Sequence, residues 1–216
     1  YLARGPRFRL PAEQLRDAAL SACGLLKPVI GGASVKPYQP AGLWEDNGTQ
    51  HTYEQDKGSK LYRRSLYTFW RRTCPPPVMS VFDAPTREFC RVRRDSTLTP
   101  LQALAMLNDT GFIETARVLS ERLVRENPAA HQDANRVTAA FRLLIGRPPS
   151  ATQLKSMCDL IAEARSYYVG QPEEAKKLIK NAGESPTDST LQPTEIAATL
   201  LMARALINSE PFIVSY

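Results

Sequence analysis

Thr99-Pro-Leu-Gln-Ala-Leu-Ala-Met-Leu-Asn-Asp-Thr-Gly-Phe-Ile-Glu-Thr-Ala-Arg-Val-Leu-Ser-Glu-Arg-Leu-Val-Arg-Glu126 sets the fold class. Thr99 is an N-cap residue and Pro100 suits the first helical position, where its missing N–H costs nothing. Leu101, Leu104, Ala105 and Leu107 recur at helical spacing and predict one apolar face. Asp109-Thr110-Gly111 reads as a turn. A second helix is expected over residues 112–126, with Ile113, Ala116, Leu119 and Leu123 inward. Two antiparallel helices on a short connection need further helices to cover them.

The remainder of the C-terminal half supplies them. Residues 132–145 place Val137, Ala140, Phe141 and Leu144 on one stripe, and Gly-Arg-Pro-Pro-Ser at 146–150 breaks the pattern. Ser150 caps a helix over residues 151–168, with Leu154, Met157, Cys158, Ile161 and Ala164 inside, ended by Gly170. Pro172 opens a short helix to about Ala182. Pro193 opens the last one, 194–208, which is apolar on nearly all sides and therefore expected at the centre of the bundle.

The N-terminal half is different. Residues 1–9 are basic and irregular, and Pro11 opens a helix whose Leu15, Ala18, Ala19, Ala22, Cys23 and Leu26 keep a 3.6-residue period until Pro28. Residues 29–60 are rich in Gly, Pro and polar side chains, with a short extended piece expected at Ser34–Tyr38. A connection of that length is uncommon in a compact domain and often functional. Residues 61–72 fit a helical face through Tyr62, Leu66, Phe69 and Trp70. Pro75-Pro76-Pro77 should run extended, with a short helix after Pro85. The expectation is an all-α fold: an irregular bundle of about six to eight helices, with residues 29–60 and 73–97 as long Pro/Gly-rich loops on one face. The chain is read as a single domain, 1–216, with a basic, loop-rich half (1–100) and a helical half (101–216).

With 216 residues, 43% of them apolar, the chain can bury a real core. No apolar run approaches the ~18–20 residues a membrane span needs. The net charge is +6. Residues 1–100 hold 16 basic and 9 acidic side chains, and the excess concentrates in 60–94, with nine basic groups against Asp83 and Glu88. These are Lys60 and the arginines Arg63, Arg64, Arg71, Arg72, Arg87, Arg91, Arg93 and Arg94. Guanidinium forks suit bidentate contacts with carboxylate, sulfate or phosphate. The eight arginines are therefore candidates for an acidic protein partner or an anionic polysaccharide, unless they pair internally. Nucleic acid is the weakest reading, because no RNP motif, zinc finger or basic dimerising helix is present.

Asp83, in Phe-Asp-Ala-Pro, is expected to form a structural ion network with Glu88 and one of the following arginines; the alternative is an anion pocket whose forks the two carboxylates hold. As a catalytic pair they suffer from those same arginines, which lower carboxylate pKa values. Gln102 and Asn108 are expected to bond the Asp83 loop and to cap a helix. Tyr38, Trp44 and Tyr53 either cover the core beneath the long loop or form a stacking platform for sugar rings. His51 is a lone loop histidine and His131 lies at a helix start. Two histidines and the scattered Cys23, Cys74, Cys90 and Cys158 supply no metal cluster. Cys74 and Cys90 bracket the Pro-rich loop, and spacing leaves open whether they are bridged. There is no CxxCH, so this segment attaches no haem.

Ala-Arg-Gly-Pro-Arg-Phe-Arg-Leu-Pro-Ala-Glu-Gln-Leu-Arg-Asp at 3–17, followed in order by Ile-Gly-Gly-Ala-Ser-Val-Lys-Pro-Tyr-Gln-Pro (30–40), Leu-Tyr-Arg-Arg-Ser-Leu-Tyr-Thr-Phe-Trp-Arg-Arg-Thr (61–73), Phe-Asp-Ala-Pro-Thr-Arg-Glu-Phe-Cys (82–90) and Thr-Leu-Thr-Pro-Leu-Gln-Ala-Leu (97–104), resembles a domain of unknown function from planctomycetes. That domain occurs C-terminal to planctomycete cytochrome c domains in large exported proteins. The resemblance implies a periplasmic or cell-envelope location and a longer parent chain, in keeping with a sequence that starts at Tyr1. It implies haem c in a partner domain or chain, and no known reaction. Together these readings predict a non-catalytic scaffold or docking module of an exported, cytochrome-linked assembly. A binding module for sulfated or uronic-acid polysaccharide is the alternative. An uncharacterised enzyme, for which nothing in the sequence asks, is the third.

Overall fold

Pro193 fixes the backbone at the first turn of a fifteen-residue helix that runs to Ile207 without a further Gly or Pro. In a computed structural model, which describes Gly5, residues 7–46 and residues 51–215, this helix is the hub of the fold. Ala197, Ala198, Thr199, Leu200, Met202 and Ala203 are fully buried on its several faces. Its all-round apolar character requires neighbours on every side, and they are the other long helices. In chain order the helices are α1 (Ala12–Cys23), α2 (Leu43–Asp46), α3 (Pro77–Val81), α4 (Pro100–Asn108), α5 (Thr110–Glu126), α6 (Asp133–Ile145), α7 (Ala151–Gly170), α8 (Pro172–Lys180), α9 (Pro193–Ile207) and α10 (Glu210–Ile213). The most extensive packing is of α9 on α5 and α7, then on α8, with α1 lying against α5.

The all-α expectation holds: among the described residues strand is confined to β1 (Phe8–Arg9) and β2 (Val214–Ser215), which pair antiparallel with Phe8 opposite Ser215. Among the described residues, ten α-helices exceed the expected six to eight because α2, α3 and α10 are single turns of four or five residues, too short for a periodic signal. Local chemistry explains most boundaries. Thr99 and Gln102 form a reciprocal capping box, as do Ser150 and Gln153. Gly146 closes α6 in the left-handed region at φ +80°, where a Cβ would be strained.

Several expectations are corrected. The turn between α4 and α5 is Asp109 alone, whose carboxylate accepts from the Gly111 N–H at 2.9 Å and the Phe112 N–H at 3.3 Å, so Thr110 and Gly111 already belong to α5. The inward face of α4 is Gln102 and Met106, while Leu101 and Leu104 are each 57% exposed. No helix follows Pro85. The helix lies earlier, where Pro77 opens α3 with Pro76 as its N-cap. Residues 61–72 form no α-helix either. Two tight 3-10 turns, Gly58–Tyr62 and Ser65–Tyr67, alternate with extended backbone, and single bridges join Lys27 to Arg63 and Val35 to Thr68. Val35 thereby confirms the extended piece expected at Ser34–Tyr38.

Candidate functional site

The alternation of 3-10 turns and extended backbone at 61–72 leaves carbonyls that no α-helix satisfies, and buried carbonyls need donors. Arginines supply them. Arg16 of α1 donates to the Leu61 carbonyl at 2.5 Å, to the Arg63 carbonyl at 2.9 Å and to Ser65 Oγ at 3.1 Å. Arg63 turns the other way and donates to the carbonyls of Val29, Ala33 and Gly31, with its guanidinium 4.0 Å from the Tyr67 ring centre. Arg63 is buried, so it is a clamp on the 29–33 turn and leaves the set of surface arginines. Asp17 accepts from the Ser65 N–H and lies 3.7 Å from Arg64 Nε, which stays half-exposed.

The three rings of the long loop do not form an open platform. Trp44 is 5% exposed, edge-on to Tyr53 at 5.1 Å and tilted against Phe69 at 5.9 Å. Arg71 covers its face at 4.7 Å and Lys36 at 5.6 Å. Tyr53 donates to the Pro37 carbonyl at 2.6 Å. Tyr38 accepts from the Glu184 N–H at 2.9 Å, and burial pushes both phenols well above their usual range. Tyr38, Trp44 and Tyr53 thus tie the described parts of the long loop to the core, the first of the two roles the sequence left open.

The Asp83 turn is different, because it carries a surface. Asp83 sits in the left-handed region at φ +58° and Arg87 at φ +65°. Asp tolerates this better than most side chains, and strain of this kind concentrates where structure serves function. Asp83 Oδ2 accepts from Arg9 at 2.6 Å and from the Thr97 N–H and hydroxyl, both at 2.8 Å. Burial raises the Asp83 pKa, but these bonds outweigh it and hold the carboxyl below its usual value. Its partner is Arg9, rather than one of the following arginines, and Glu88 is an exposed side chain outside this network. Gln102 does serve the Asp83 loop, donating to the Val81 carbonyl and to Thr97 Oγ1, both at 3.0 Å. Asn108 bonds the Leu104 carbonyl of its own helix.

From that anchor every residue from Thr86 to Leu101 is exposed. Arg87 lies over the Trp70 ring at 4.8 Å, Arg91 pairs with Asp95 and stacks on Phe89, and Arg94 reaches Glu13 at 3.0 Å. Between them Phe89, Val92, Leu98 and Leu101 face solvent. Arg72 is exposed nearby in sequence. Arg93, Arg94, Asp95 and Ser96 form one wall of a cleft of about 230 Å³, and Phe8, Arg9, Pro11, Ala12, Phe82, Asp83 and Ala84 form the rest. No disulfide ties this loop: Cys90 is exposed, and buried Cys74 has its Sγ 3.7 Å from the Leu43 carbonyl.

A second, smaller space of about 50 Å³ lies beneath residues 37–40, among Arg16, Tyr38, Tyr62, Asp109 and Glu114. It has room for a few waters and falls far below the 300–1,000 Å³ typical of small-molecule sites. Its groups are structural. Glu114 accepts from Tyr62 at 2.9 Å and from the Ser185 N–H at 2.6 Å. Arg117 bonds Glu121 at 2.6 Å and the Ala182 and Ser185 carbonyls. Burial raises the Tyr62 pKa to about 12 and also raises that of Asp109, against the helix N–H groups it caps. A companion network joins Arg136 and Arg165 to Glu195 and Asp133. These buried ions went unread in the sequence. The available signal was the spacing of Glu114, Arg117 and Glu121, one helical row inside an apolar helix. His51 and His131 are exposed and line neither space, and among the described residues no cluster could hold a metal ion.

A mainly helical domain with an arginine-rich loop anchored through Asp83 is the class defined by this geometry. The chain belongs to the family described as PSD1, a protein of unknown function (DUF1553), whose model matches residues 1–161. No curated protein and no solved structure matches the chain. The matched span ends inside α7, whereas α9, the hub of the core, lies beyond it.

Proposed function

We propose that the protein is a non-catalytic docking module that binds an acidic protein surface through the loop Thr86–Leu101. The observation that carries this reading is the uninterrupted exposure of that loop, with Phe89, Val92, Leu98 and Leu101 interleaved with Arg87, Arg91, Arg93 and Arg94. Arginine and aromatic side chains are enriched at protein interfaces, and a few such anchors carry most of the binding energy. The loop is held at its root by Asp83, so less ordering entropy is lost on binding. The setting we propose is an exported, planctomycete-type envelope assembly in which a neighbouring domain or chain carries haem c. An acidic c-type cytochrome domain is the partner of choice, and the basic loop would steer it electrostatically. The polysaccharide reading keeps the arginines but loses its platform, since Trp44 is buried beneath Arg71 and Lys36.

The test is titration of an acidic c-type cytochrome from the same source with the full chain at low and high salt. Affinity should fall steeply with salt. The double variant Arg91→Glu/Arg93→Glu should abolish binding, whereas Arg147→Glu, on the α6–α7 connection, should leave it intact. Equal affinity for the double variant at low salt sinks the reading.

A further inference from the structure

The cleft between β1 and the arginine loop is built for one kind of occupant. Its two carboxylates are already spoken for: Asp83 is bonded by Arg9 and Thr97, and Asp95 pairs with Arg91. Its arginines are not all matched. Arg9 is nine-tenths buried, and its Nε finds no acceptor among the described residues. Arg94 holds Glu13 across a half-exposed contact, the kind of pair that contributes little and exchanges readily. Arg93 is exposed and has no carboxylate partner among the described residues. The charge left over in the cleft is therefore positive.

The rest of the cleft is apolar. Phe8 on β1 is half-exposed, and Pro11, Phe82 and Ala84 complete the floor. A buried Arg9–Phe82 stack at 5.7 Å stiffens that floor. A volume of about 230 Å³ admits one or two side chains and no folded element. Beyond the rim, Val92 stands wholly exposed next to Arg93. A chain lying across the rim would meet an apolar contact immediately beside the cationic one.

We propose that this cleft binds an extended acidic peptide segment of the docking partner, with one carboxylate on the Arg93 fork and a neighbouring apolar side chain against Phe8 and Ala84. The inference deepens the docking reading and rests on it. Arg93 supplies a planar, bidentate donor that distinguishes carboxylate from amide. Phe8 and Ala84 supply the apolar anchor above buried Phe82, and Asp83, bonded to Arg9 and Thr97, holds the two subsites together.

The test uses the full chain, ¹⁵N-labelled, titrated with the peptide acetyl-Asp-Phe-Glu-Leu-Asp-amide. Two controls accompany it: the neutral acetyl-Asn-Phe-Gln-Leu-Asn-amide and the apolar-depleted acetyl-Asp-Ser-Glu-Ser-Asp-amide. The expected result is a set of amide shifts at Phe8, Ala84, Arg93 and Ser96, with affinity at least tenfold weaker for either control. Arg93→Gln and Phe8→Ala, both exposed changes, should each weaken the acidic peptide by about tenfold while leaving the remaining spectrum in place. Equal binding of the neutral peptide, or no shifts at millimolar peptide, overturns the cleft assignment. Shifts confined to Phe89, Leu101 and Leu104 overturn it too, but leave the loop as a docking surface. The docking reading itself falls only if the cytochrome titration above fails.

Discussion

Replacing Asp83 tests the link between the helical core and the exposed loop. Asp83→Asn keeps the shape and the tolerance of a left-handed backbone but removes the charge facing Arg9. The Arg9 side chain is 5% exposed and that of Asp83 19%, so the pair is only lightly screened. Losing a charge-assisted hydrogen bond of this kind costs about 2 kcal/mol. Asp83→Ala also deletes the acceptor for Thr97 and the short polar side chain that makes φ +58° tolerable, adding about 1 kcal/mol or more. If the loss is felt globally, a chain of this size melts ~2–4 °C lower per kcal/mol, so Asp83→Asn should fall by roughly 4–8 °C and Asp83→Ala further. If it is felt locally, amide exchange over residues 84–101 should quicken while α5 and α9 keep their protection. The pH dependence has a definite sign. The folded carboxyl has a depressed pKa, so its stabilisation is fully present at neutral pH. It disappears as pH falls from the ordinary carboxylate value near 3.8 through the lower folded value. Both variants should lack that acid-side loss. Melting and loop exchange indistinguishable from the parent protein in both variants would refute the role assigned to Asp83.

Two further expectations are independent of the loop. Gly183 has φ +90°, and a Cβ there would press into the Glu114 side chain, its Cγ only 2.5 Å away. Gly183→Ala should therefore destabilise the fold by about 2–4 kcal/mol, read by chemical denaturation, and a neutral effect would mean the Glu114–Ser185 contact is not rigid. Thiol reactivity should follow burial. At pH 8 a disulfide reagent should label exposed Cys90 first, while Cys23, whose pKa burial raises to about 11, should react only on unfolding; fast labelling of Cys23 in the native protein would contradict the packing of α1 on α5.

The helical half was legible because its signals are local. Pro at first positions, Thr99 and Ser150 as caps, Gly146 as a stop and a 3.6-residue stripe each act within one or two turns. The misreadings have a common cause in long-range polar contacts. Leu101 and Leu104 looked like core, but Gln102 claims the inward position by bonding Val81 and Thr97. Residues 61–72 looked helical, but Arg16 of α1 takes the Leu61 and Arg63 carbonyls of a backbone of 3-10 turns and extended pieces that periodicity cannot anticipate. Arg63 read as surface because charge usually is surface, yet its three carbonyl partners lie some thirty residues away. The loop expected over 73–97 instead holds α3 at Pro77–Val81, and the exposed basic stretch begins at Thr86. Its anchor was not legible, because Arg9 and Asp83 are separated by 74 positions and meet only once α1 and α3 have packed.

The short pairing of β1 with β2 gives the module a mechanical character. Phe8 and Arg9 enter beside Val214 and Ser215 as these leave, in antiparallel register. Tension applied through segments attached at both ends would load this two-residue clasp as an unzipping fork, one rung at a time, and would leave the helices behind it unstretched. Phe8 and Arg9 are also walls of the cleft, so the first rung to part would displace its floor. A pull between the two ends of the chain would reach the cleft before it reached the core, and grip would weaken with force.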